Sequence, residues 1–300
     1  MAKIISQISL FDYTEIEVLG DLQRLQLAIE GINDEELMCI LEKKRGTKGR
    51  DDYPVRVMWN LILAMLVFGH KTVASFLREL SRNSQLRKIC GLDDFAKKKH
   101  LVPPHRVFTM FFKSLQKEKK MLKKIFMMQA ADISGWLPEF GITLAGDGKY
   151  LDSYAKRPAK TENKKAGGRR ESDAAFSIKE YHYIDENGKK HIKKETHFGC
   201  KAHIICDVNT ELPVAYQVTA ANIDEKEIMC AMLEAFSEEQ KARADVLLLD
   251  RGYDSTGMIQ AIKNAGIKPV VDIRNCWKDG EGTKQYKDTN IVYNYRGDVA

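Results

Sequence analysis

The chain has 300 residues, 44% hydrophobic and 30% charged, enough apolar material for one large core or two modest ones and too much for a disordered polymer. Its net charge of +6 favours an anionic partner over an acidic or neutral one. The longest apolar run, Leu61 to Phe68, is far short of the roughly 20 residues that span a bilayer, so no membrane association is expected.

Other global features point the same way. The N-terminal stretch MAKIISQISLFDY lacks the apolar centre of a signal peptide. The six cysteines form no C-x-x-C pair, which argues against a zinc ribbon and for a reducing, cytoplasmic setting. Charge is unevenly spread. Residues 1–52 carry 7 Lys/Arg and 11 Asp/Glu, whereas residues 53–140 carry 16 and 6. A concentrated basic region suits a phosphate backbone, although a solvated helical face has the same composition.

In chain order, residues 1–52 read as a short helical and linker segment. Leu19, Leu22, Leu25 and Ile29 recur at helical spacing within Ile16–Glu42, and Arg45-Gly-Thr-Lys-Gly-Arg-Asp51 is a polar link. Residues 53–137 read as an all-α domain. Pro54 opens a helix bearing Val57, Leu61, Ala64, Met65 and Phe68; Val73, Phe76, Leu77 and Leu80 mark a second; Val107, Met110, Phe111 and Leu115 a third after Pro103-Pro104. Basic residues such as Arg78 and Arg82 occupy the polar faces, a pattern that suits a helix-turn-helix-like DNA-binding module.

From 138 to 300 the pattern changes to short apolar runs between turns. Strands are expected at Ile142–Ala145, Ala202–Val208 and Leu212–Thr219, the last two joined by the turn Asn209-Thr210-Glu211. A helix over Asp224–Phe236, a buried strand Val246–Leu249, a helix over Ser255–Ala265 and a strand Lys268–Ile273 complete a mixed five-stranded sheet with flanking helices. Residues 151–198 form a polar insertion. Lys156–Arg170, with seven Lys/Arg in fifteen residues, reads as a mobile basic loop, and Tyr181–Gly188 as a small hairpin.

Two aspartates stand out by position. Asp147 follows the first apolar run of this region and Asp250 follows Val246–Leu249, each at the carboxyl end of an expected strand and near a glycine. Sites in open α/β sheets form at such ends. Turns and helix caps also favour Asp, so either residue alone says little; two in matched positions say more. Adjacent carboxylates repel, and a divalent cation with oxygen ligands relieves the repulsion. Asp224 with Glu227 fits a helix-capping box. Lys149, Lys201 and His203 are placed on strands near the site with exposed polar side chains. A phosphatase-type nucleophile strand is excluded, because the second Asp it needs is here Lys149, and no nucleotide-binding P-loop is present.

Several motifs together resemble insertion-sequence transposases with an RNase H-like DDE domain. They are Tyr53-Pro-Val-Arg56, Ser75-Phe-Leu-Arg-Glu-Leu80, Val102-Pro-Pro-His105, Leu144-Ala-Gly-Asp-Gly-Lys149, His197-Phe-Gly-Cys-Lys-Ala-His203, Thr219-Ala-Ala-Asn-Ile-Asp224 and Leu249-Asp-Arg-Gly-Tyr-Asp-Ser255. The resemblance covers nearly the whole chain. It implies an α/β RNase H-like domain preceded by an all-α DNA-binding domain. It implies Asp147 and Asp250 as catalytic, metal-binding carboxylates with Mg²⁺, or Mn²⁺ in its place. The implied partner is double-stranded DNA, both the element's terminal inverted repeats and the target, engaged by a homodimer or larger synaptic complex in the cytoplasm. Expected DNA contacts are Arg78, Arg82, Lys149, Lys156, Arg157, Lys164, Lys165, Arg169, Arg170 and Tyr253. The family's third carboxylate, a Glu in a Tyr-x-x-Arg-x-x-x-Glu pattern, is not found before Ala300. The expectation is therefore a truncated or partial transposase, with an inactive DNA-binding remnant as the alternative.

Overall fold

The computed structural model describes residues 20–45, 53–92, 102–155, 173–184, 190–273, 282–287, 289–296 and 298–299. The chain divides into two compact units, Met1–Asp132 and Ile133–Ala300.

Among its described residues the first unit is entirely helical: α1 (Asp21–Gly31), α2 (Glu35–Arg45), α3 (Val55–Val67), α4 (Val73–Arg82), α5 (Ser84–Ile89), α6 (His105–Gln116) and the first part of α7 (Lys119–Trp136). Helix α3 is mostly apolar and largely buried, with Val57, Leu61 and Ala64 wholly enclosed. Side-chain caps start α4 and α5: Thr72 Oγ1 accepts from Ser75 N at 3.1 Å, and Asn83 Oδ1 from Leu86 N at 3.0 Å. Residues 20–45, expected as a separate acidic segment, instead share this core. Leu22, Leu25, Leu37, Met38 and Leu41 pack in one cluster with α3 and α6. The expected single helix across Ile16–Glu42 is two helices in its described part, interrupted at Ile32–Asp34. The interruption is held by Asp34, only 2% exposed, which accepts from Arg56 Nη1 and Trp59 Nε1 of α3. A buried carboxylate persists only with such partners.

The second unit is built on a mixed sheet. Its strands are β1 (Thr143–Asp152), β2 (Ala175–Ile184), β3 (Lys190–Asp207), β4 (Pro213–Ala220), β5 (Val246–Leu249) and β6 (Lys268–Val271), in the order β2-β3-β1-β5-β6 with β4 also on β3. The pairs β1–β3, β2–β3 and β3–β4 are antiparallel; β1–β5 and β5–β6 are parallel. Helices α8 (Glu225–Glu234), α9 (Glu238–Arg243) and α10 (Thr256–Asn264) are interleaved with β5 and β6. The chain resumes with β7 (Thr283–Gln285) and β8 (Val292–Asn294), a small antiparallel pair.

Five of the six strands were expected. The sixth, β2, comes from the polar insertion, where sequence alone marks only a small hairpin at Tyr181–Gly188. Strand β1 runs on to Asp152 and β3 begins at Lys190, so residues 175–184 and 190–199 form a long hairpin. Its charged and apolar residues alternate too irregularly for a period-2 reading. Backbone pairing, which has no sequence signature of its own, decides the matter.

One face of the sheet is dry. Leu144, Ile205, Leu247 and Leu249 are buried in one cluster with Met229 and Leu233 of α8 and Met258 and Ile262 of α10. On the other face Val218 and Val270 remain 48% and 49% exposed. The β3–β4 turn is tied down by the fully enclosed Asp207, which accepts from Gly141 N at 2.9 Å and from Thr210 N and Oγ1, both at 2.8 Å. Burial pushes its carboxyl up, but the hydrogen bonds from Gly141 and Thr210 outweigh it and hold the group below the usual carboxylate range. A depressed folded-state value stabilises the fold above the unfolded value near pH 3.9, and the gain is lost as pH falls through the lower folded one. Asp207→Asn should therefore lower the urea midpoint at neutral pH and flatten its decline below about pH 4 relative to wild type.

Candidate active site: paired carboxylates on adjacent strands

The parallel register of β1 and β5 sets Gly146 opposite Leu249. Asp147 and Asp250 are thus the next residues on neighbouring strands, whose backbones run about 4.8 Å apart. Strand alternation carries both to the sheet face away from α8 and α10, and both are exposed. Each carboxylate is oriented by its own turn. Asp147 Oδ1 accepts from Gly148 N at 2.7 Å, and Asp250 Oδ1 accepts from Gly252 N at 2.8 Å as the cap of a short 3₁₀ turn over Arg251–Tyr253. These local bonds use one oxygen of each group. Two exposed carboxylates side by side suit a hard divalent cation, which prefers oxygen ligands and retains water. Among the described residues no group of three or more His, Cys, Asp or Glu could hold a metal ion, so the pair is a two-ligand arrangement there.

The other face of β1 explains the glycines on either side of Asp147. A Cβ at Gly146 would lie 2.7 Å from Met229 Cε and 2.8 Å from Leu249 Cδ2; one at Gly148 would lie 3.3 Å from Glu225 Cγ and Cδ. Helix α8 therefore rests its Glu225/Met229 face directly on the backbone that carries Asp147. Its N-terminus is capped by Asp224, whose Oδ1 accepts from Lys226 N at 2.8 Å, as the sequence led one to expect.

Sequence reasoning missed the polar group beneath the site. Lys201 is 4% exposed and His203 fully buried, where both were expected on an exposed polar face. Lys201 Nζ meets Glu225 Oε1 at 2.8 Å and lies 4.6 Å from the centre of the Tyr150 ring. Burial pushes the Lys201 ammonium down, but Glu225 and Tyr150 more than compensate and raise it. His203 Nε2 lies 2.9 Å from Thr219 Oγ1, and burial followed by the Lys201 charge pulls its imidazole down, against Glu225. A cue was available in Gly146-Asp-Gly148, since paired glycines in a strand often mark a close-approaching neighbour.

The remaining expected contacts fall into three sets. Arg78 and Arg82 are exposed on α4, Arg82 paired with Glu79 at 3.1 Å, and Lys149 is exposed two positions beyond Asp147 on the same face. Lys156, Arg157, Lys164, Lys165, Arg169 and Arg170 lie outside the described residues. Tyr253 does not fit a DNA contact. It is fully buried beside Met258 and Ile262 because the 3₁₀ turn folds its ring inward. Its hydroxyl has no hydrogen-bond partner among the described residues, and burial, then the charges of Glu225, Asp147, Asp250 and Asp224, push the phenol far up.

Residues 159–298 match the family model described as "Transposase DDE domain", a span that includes β5 and Asp250 and begins after Asp147. A curated protein of Burkholderia cepacia, "Putative transposase for insertion sequence element IS402", is 30% identical over 95 residues, 30% of this chain and 44% of that relative. Through these segments the chain is similar to insertion-sequence DDE transposases. The aligned part spans under half the length of the relative. No solved structure matches the chain. Nothing in these likenesses favours a DNA-binding remnant over the enzyme family. Among the described residues no helix is long and apolar enough to cross a membrane.

The packing of α8 on the two glycines has a measurable consequence. Gly146→Ala should cost about 1–3 kcal/mol, because its methyl would overlap Met229 and Leu249 in a filled core. Thermal melts of the variant against wild type will read it.

Proposed function

We propose that this chain is a metal-dependent transposase that cleaves insertion-sequence ends and joins them to target DNA, with Asp147 and Asp250 as its catalytic, metal-holding pair. The observation that carries the reading is the β1–β5 register, which makes the two residues neighbours across adjacent strands. The antiparallel β4-β3-β1 set continued by parallel β5 and β6 supports an RNase H-like domain. Asp147 and Asp250 would hold Mg²⁺ or Mn²⁺. When bound, such an ion supplies charge stabilisation to the phosphoryl oxygens and activates the attacking oxygen.

The chain's own residues supply the positioning. Gly148 and Gly252 N–H groups orient the carboxylates, and Lys149 lies on the same face to meet a phosphate. Arg78 and Arg82 of α4 extend the contact to duplex DNA, in keeping with the basic excess of the helical unit. Transesterification conserves phosphodiester energy, so a nucleotide cofactor is not required. The substrates on this reading are the element's terminal inverted repeats and target DNA, brought together in the bacterial cytoplasm by a dimer or larger complex.

Two measurements test the reading. Asp250→Asn and Asp147→Asn should each lower Mn²⁺- or Mg²⁺-dependent nicking of end-containing DNA by at least about 100-fold, since several kcal/mol of charge stabilisation disappear. Undiminished nicking by either variant removes that residue from the site. DNA affinity should fall steeply with salt, and Arg78→Ala or Arg82→Ala should reduce the logarithmic salt slope by about 1 each. An unchanged slope takes α4 out of the DNA interface.

A further inference from the structure

The Lys201–Glu225 ion pair has no evident stabilising purpose. Lys201 is 4% exposed, and its ammonium is enclosed between the Glu225 carboxylate at 2.8 Å and the Tyr150 ring at 4.6 Å. Burying the Lys201 charge is costly even though Glu225 keeps 26% of its side chain exposed, and apolar side chains of similar size commonly serve stability as well or better. What such a pair does provide is a fixed geometry.

Its location indicates which geometry. Glu225 is the first residue of α8, and its Cγ and Cδ lie against Gly148, the residue after Asp147. One helical turn on, Met229 lies against Gly146, the residue before Asp147. Lys201 reaches Glu225 from β3, where it pairs with Tyr150 of β1. The backbone bearing Asp147 is thus gripped from behind at both flanks, and the ion pair fastens the end of the grip nearest the carboxylates. Glu225 lies on the α8 side of β1, opposite the face that carries Asp147 and Asp250. It does not join Asp147 and Asp250 in a three-ligand group.

We propose that Lys201 and Glu225 are positioning residues of the Asp147/Asp250 site: their ion pair locks the start of α8 onto Gly148 and thereby sets the spacing of the two carboxylates for a divalent cation. The proposal rests on the metal-site reading above. Outer groups that orient metal ligands typically contribute 10- to 100-fold to affinity.

The test is Mn²⁺ titration of the full chain by electron paramagnetic resonance, without DNA, beside a thermal melt of each variant. Lys201→Met and Glu225→Gln should weaken Mn²⁺ binding about tenfold or more. The double variant Lys201→Met/Glu225→Met removes both charges, so it should keep a wild-type melting temperature and still bind Mn²⁺ more weakly. Wild-type Mn²⁺ affinity in the folded double variant overturns the proposal, even where a single variant fails to fold. Asp250→Asn separates the two levels of the argument. If it abolishes Mn²⁺ binding while the Lys201 and Glu225 variants bind normally, the positioning role falls and the metal site stands. If Asp250→Asn binds as wild type does, or wild type binds no Mn²⁺, the metal site falls and the positioning role with it.

Discussion

The parallel pairing of β1 with β5 is the constraint on which the rest of the second unit depends. These strands are separated by a hairpin, two helices and more than ninety residues, yet Thr143 to Gly146 lie opposite Val246 to Leu249 one for one. A slip by one residue would turn Asp250 to the opposite face, into the apolar layer of Met229, Met258 and Ile262. Burial of Leu247 and Leu249 beside Leu144 forbids that slip. The hydrophobic core thus sets the relation between the two carboxylates without touching either.

The two faces of the sheet divide the work. One is dry and closely packed, and α8 approaches β1 so closely that a Cβ at 146 would lie 2.7 Å from Met229 and one at 148 would lie 3.3 Å from Glu225. The other face is half open and carries Asp147, Lys149 and the extension toward Asp250. A rigid back and an accessible front suit a site that handles a polymer too large to enclose. The polar pocket of Lys201, Glu225 and His203 is the exception to the dry side, and it lies behind the carboxylates rather than elsewhere in the core.

The helical unit follows a different logic. Its central helix α3, mostly apolar, recruits the N-terminal helices as cover, with Asp34 bridging to Arg56 and Trp59. Arg78 and Arg82 are exposed because the buried side of α4 is already taken by Phe76 and Leu80. Exposure makes them available to a phosphate backbone; their chemistry does not choose between that and water.

The sequence by itself determined the class of the second unit and most of its elements, because apolar runs bounded by turns record which strands are buried on a face. It also singled out Asp147 and Asp250, each a charged residue after a buried run, although only Asp250 follows a strand end and Asp147 lies inside β1, which continues to Asp152. Side-chain type and short-range period are local quantities, and they survive in a one-dimensional reading. Only the tertiary structure decided the rest. It drew residues 20–45 into the helical core, lengthened a small expected hairpin into the β2–β3 pair, buried Tyr253 rather than exposing it, and set Lys201 against Glu225 beneath Gly148. Each of these depends on which distant segment lies alongside. That is a matter of backbone pairing and packing between residues far apart in the chain, for which a lysine or a tyrosine carries no local mark.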